Sequence, residues 1–134
     1  MYKQIALIII LFLACEKKAN VKPTSKYTLN NTQKWAMDEH TRSYANKMSA
    51  IFKTNSVPKD IEEFNRFGLV FETHLDSMIQ GCTMQGKAHD QLHIFIGEIF
   101  QPLENLKTDS TLSHARQSFS FLKDELVEYN KFFK

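Results

Sequence analysis

Apolar residues recur at alternating three- and four-residue steps in four separate stretches of the chain, and each stretch reads as an amphipathic helix. The first spans about 32–52, with Met37, Thr41, Tyr44, Met48 and Ile51 on one face. The second runs from Pro58, well placed for a first helical turn, to Gly81 or Cys82. Its seam is Ile61, Phe64, Gly68, Phe71, Leu75, Met78 and Cys82, with Gly68 as a point of close helix approach. The third starts after Gly86 and carries His89, Leu92, Ile96, Ile99, Leu103 and Leu106; Pro102 should kink it or end it early. The fourth covers about 113–133 with Ala115, Phe119, Leu122, Leu126, Tyr129 and Phe133 inward. No stretch alternates apolar and polar residues as a strand would. Four such helices on short loops predict an all-α, up-down-up-down antiparallel four-helix bundle over 32–134.

The run Ile5–Ala14 has a different pattern, apolar without interruption. It is shorter than the roughly 20 residues that span a bilayer and matches the core of a secretory signal. It ends in Leu11-Phe12-Leu13-Ala14-Cys15, followed at once by Glu16-Lys17-Lys18. Small Ala14 before Cys15 resembles a bacterial lipobox. The expectation is a signal peptide over 1–14, lipid on Cys15, and a polar, flexible tether over 15–31. The domain would then be held by lipid on a bacterial membrane, facing the periplasm or the cell exterior.

Charge excludes little and adds one constraint. The chain carries 17 Lys and Arg against 15 Asp and Glu, and loss of Lys3 with the signal brings them closer to balance. Nothing in that balance favours nucleic acid. With Cys15 lipidated, Cys82 is the one remaining thiol, so no disulfide can form within the chain.

Candidate chemistry collects in Cys82-Thr83-Met84-Gln85-Gly86-Lys87-Ala88-His89-Asp90-Gln91-Leu92-His93, the junction of the second and third helices. Thiol, thioether and imidazole are the donors that select copper or zinc. His89 and His93 are four apart and share a helix side. In an antiparallel hairpin Cys82 should lie level with His89, and Met78 with His93. The alternating topology brings Trp35, Met37 and His40, and also Glu128, Tyr129 and Phe132, to that end. His114 falls at the opposite end and His74 on the rim. The expected metal ligands are Cys82, His89 and His93, completed by Met84, Met78 or His40, with Asp90 or Glu128 as carboxylate donors for zinc.

Two other readings stand beside this one. In the first, the cluster is core packing in a structural or interaction domain, since methionine fills gaps and a buried cysteine behaves as a small hydrophobe. In the second, a His and a Met hold haem non-covalently; the many Phe of the seams leave little room for it, and the covalent Cys-x-x-Cys-His motif is absent. No phosphate loop, nucleophile elbow or His-Glu-x-x-His helix is present, so an enzyme is not expected and no catalytic residue is assigned.

The pattern Cys82-Thr83-Met84, Gly86, His89-Asp90 and Leu92-His93 resembles a Cys-Thr-Met-x-Gly-x-x-His-Asp-x-Leu-His motif of small, largely uncharacterised secreted or lipid-anchored bacterial helical proteins. The Lys34-Trp35-Ala36-Met37-Asp38 segment is similar to theirs as well. The resemblance implies a helical domain in which this stretch matters, and brings no activity with it.

Overall fold

A computed structural model describes residues 25–54 and 56–134. The signal peptide, Cys15 and the first part of the tether lie outside the described residues. The helices are α1 (Glu39–Thr54), α2 (Ile61–Gly81), α3 (Gly86–Thr108) and α4 (Leu112–Phe132). They form an antiparallel four-helix bundle in which each helix packs on its chain neighbours and α1 closes on α4. Among the described residues there is no strand, and no helix is long and apolar enough to cross a membrane.

Three of the four starts have a local cause. Asp38 caps α1: Oδ1 accepts from the Thr41 backbone N–H at 2.7 Å, satisfying one of the donors a helix start leaves free. Asp60 caps α2 through Glu63 N–H at 2.9 Å, and Glu62 and Glu63 follow in the first turn, where the helix dipole favours negative charge. Pro58 therefore lies in the preceding loop, not in the first turn. Gly86, at φ +64, supplies the left-handed backbone that turns the chain into α3. Pro102 does not end α3, which continues to Thr108.

Burial follows the helical faces. Phe64, Phe71, Phe95, Met48, Met78, Leu92, Ile99, Leu103, Leu106 and Leu122 are almost wholly enclosed. At the α1–α2 end an aromatic cluster tightens the core, with Phe52 centred 4.8 Å from Phe67 and 4.9 Å from Phe119. Such ring pairs add about 0.5–1.5 kcal/mol each beyond area burial. Gly68 lets α2 approach α3 closely: a Cβ there would lie 2.9 Å from Lys107 Cγ and 3.3 Å from its backbone N.

The tether departs from expectation. From residue 25 onward it is a docked strap, not a flexible linker, and α1 begins at Glu39 instead of near Thr32. Tyr27 is buried at 2% exposure and its hydroxyl donates to Glu125 Oε2 at 2.7 Å. Lys26 Nζ donates to Glu98 and Glu125, both at 2.8 Å, joining α3 to α4. Thr28 N–H donates to Gln91 Oε1 at 2.7 Å. The chain then reverses at Asn30–Gln33, with backbone bonds of 2.8 and 2.9 Å. Both central residues, Asn31 (φ 48) and Thr32 (φ 72), are left-handed, as a type I′ turn demands. A β-branched residue in that region stores on the order of 1–3 kcal/mol of strain. Beyond the turn, Trp35 N–H donates to Phe132 O at 2.7 Å and Lys134 N–H to Trp35 O at 3.0 Å, clasping the strap to the end of α4.

Candidate functional site

The end of the bundle that holds Cys82 also holds the start of α1 and the end of α4, as the alternating topology requires. Asp38 is the joint between them. Its Oδ2 accepts from Thr41 Oγ1 at 2.9 Å and from the Thr83 backbone N–H at 2.9 Å, so the cap of α1 also fastens the α2–α3 loop. Burial pushes the Asp38 carboxyl up, but the hydrogen bonds from Thr41 and Thr83 outweigh it and hold it below the usual range.

His40 sits one residue into α1 and lies over Gly81. Its Nε2 is 2.7 Å from Ser77 O, and since a carbonyl only accepts, Nε2 carries the hydrogen. A Cβ at position 81 would fall 2.1 Å from Nε2. The ring is thus spent on tying α1 to the end of α2, and only Nδ1 remains for any other partner. Tyr129 is buried in the core, its hydroxyl donating to Met37 Sδ. Burial first, then the charges of Asp38 and Cys82, push the Tyr129 phenol well up.

The expected ligands divide into two groups. Met78 is fully enclosed among core residues. Cys82 caps α2 in an extended conformation, and both it and Met84 are half-buried against the hydrophobic core. On α3, His89 and His93 are brought together, with ring centroids 4.4 Å apart and planes at 76°. His89 is half-buried; His93 is exposed. Among the described residues no three His, Cys, Asp or Glu side chains are grouped so as to hold a metal ion, so Cys82 does not complete such a site with the two rings.

The reason lies in the rotation of α3. Its inward face is Leu92, Phe95, Ile99, Leu103 and Leu106, with Ile96 only half-buried. Placing Phe95 inside turns the line of His89, His93 and Ile96 toward the flank. The other candidates are also occupied or remote. Glu128 accepts from Lys131 and, at 3.2 Å, from Ser25; the Lys131 bond outweighs burial and keeps its carboxyl below the usual range. Asp90 is exposed. His114 is exposed beside Asp109, with 3.9 Å between Nδ1 and Oδ1. His74 packs near Tyr44, ring centroids 6.2 Å apart, where burial and then the Lys47 charge lower its pKa.

Sequence reasoning missed Asp38 as the joint, although an Asp three residues before Thr41 at the edge of a helical pattern is a capping signal. It also missed the strap, whose signal was the aromatic Tyr27 and Trp35 in a mostly polar segment.

No family model matches the chain, and no curated protein or solved structure is found to match it. The class defined by the fold is a small all-α protein, an antiparallel four-helix bundle with a docked N-terminal strap.

Proposed function

We propose that this protein is a membrane-anchored, extracytoplasmic bacterial lipoprotein whose helical domain acts as a structural or interaction module. The anchor reading rests on the apolar run ending at Ala14-Cys15. The module reading is carried by one observation: His40, Asp38 and Met78, at the Cys82 end, are engaged in holding the bundle shut. His40 spends Nε2 on Ser77, Asp38 spends its carboxylate on Thr41 and Thr83, and Met78 is enclosed.

A second reading is favoured by the 4.4 Å approach of His89 and His93. Two imidazoles one helical turn apart offer an open face to copper or zinc, with the remaining positions left to water or to a donor from another molecule. Such a site would exchange its ion readily.

The full-length chain, purified in detergent without a histidine tag and dialysed against copper(II) or zinc, separates the two. The module reading expects no metal-dependent change in melting temperature and an unchanged or raised stability in His89→Leu. Binding that is lost in both His89→Ala and His93→Ala but kept in Cys82→Ser would replace it with the second reading. Radiolabelled palmitate incorporated by the wild type and not by Cys15→Ser tests the anchor separately.

A further inference from the structure

The strap has the properties of an exchangeable element. Before the turn it docks on α3 and α4: Ser25 on Glu128, Lys26 on Glu98 and Glu125, Tyr27 on Glu125 and against Phe132, and Thr28 on Gln91. Together they fill the groove between α3 and α4 with a Lys-Tyr pair, a cation and a ring matched to two carboxylates and an apolar floor. The segment after the turn has its own backbone bonds, from Trp35 and Met37 to the end of α4, and meets the first part through Trp35 Nε1–H on Thr28 O at 2.6 Å. Between the two lies the Asn31–Thr32 turn, left-handed at both positions, one of them β-branched. A short hinge under strain joining two parts that each dock on the bundle invites exchange between copies.

We propose that two copies of this chain swap straps: the turn opens, and residues 25–29 of each copy seat in the α3–α4 groove of the other. The groove contacts of the closed form are remade, because the groove meets the same Lys26 and Tyr27; the two Asn30–Gln33 backbone bonds are given up and the strain of the turn is released. Residues from Trp35 onward stay with their own bundle. The swap does not depend on the lipid anchor, which would only raise the local concentration of copies.

The test mixes full-length chain grown in ordinary and in heavy-nitrogen medium, in detergent, and applies a zero-length carbodiimide cross-linker, which fits the 2.8 Å Lys26–Glu98 and Lys26–Glu125 pairs. The swap expects a dimer whose Lys26–Glu cross-links join light to heavy chains. A dimer with only same-label cross-links overturns it, as does a sample that stays monomeric at every concentration. Thr32→Gly relieves the turn of the closed form and should raise the dimer dissociation constant at least about tenfold. Asn31→Pro, locked at negative φ, should lower it. Loss of helical circular dichroism in Asn31→Pro would leave the Thr32→Gly arm to decide, and an unchanged dimer there overturns the proposal.

Discussion

Asp38 and Thr83, 45 residues apart in the chain, are joined by a 2.9 Å hydrogen bond from the Thr83 backbone to the Asp38 carboxylate. One side chain therefore starts a helix and fixes the loop between two others.

Replacing Asp38 by Ala should cost about 1–2 kcal/mol, the upper part of the range for a lost helix cap, because the Thr83 amide loses its partner too. The folded carboxyl titrates below its ordinary value of 3.8. Its contribution is therefore complete at neutral pH and is lost as pH falls through that lowered value. Urea midpoints of wild type and Asp38→Ala should differ at pH 7 and converge in strong acid.

Gly81→Ala forces a methyl group into the His40 ring, and should destabilise by about 1–3 kcal/mol, as overpacking does. His40→Ala should recover most of that loss in the double variant. A thermal-melt cycle that shows simple additivity would mean the ring moves aside freely.

Tyr27→Phe removes the hydroxyl that buried Glu125, 8% exposed, accepts from, and should cost about 1–2 kcal/mol. Thr32→Gly should raise stability by about 1 kcal/mol by relieving the turn. Trp35, the only tryptophan, donates Nε1–H to Thr28 O at 2.6 Å, so its fluorescence reports strap docking in both variants.

His74 has its pKa lowered from 6.5, so the folded state favours the neutral ring. Its contribution is present above pH 6.5 and is lost as pH falls through the lower folded value. Stability of the wild type should decline across that window more steeply than that of His74→Gln, measured by denaturant titration at several pH values.

Helix positions were largely legible in the sequence because they depend on periodicity. The starts of α3 and α4 and the end of α2 fall within a residue or two of expectation, and the Gly68 approach was visible as a gap in an apolar seam. What periodicity does not encode is phase. Ile96 and Phe95 are neighbours of equal apolarity, and choosing Phe95 for the core moves His89 and His93 to the flank. The early start expected for α1 failed for another reason. Residues 30–38 offer helical spacing, but their backbone groups are taken by the turn and by Phe132 and Lys134, partners at the far end of the chain.

Because Trp35 and Phe133 lie side by side, the segment entering α1 and the segment leaving α4 emerge from a single cap of the molecule. The strap runs back from that cap along the α3–α4 groove, so that Lys26 lies beside Glu98, near the middle of α3. The α1–α2 and α3–α4 connections are then carried to the distal tip, roughly 30 Å away by the rise of a 21-residue helix such as α2.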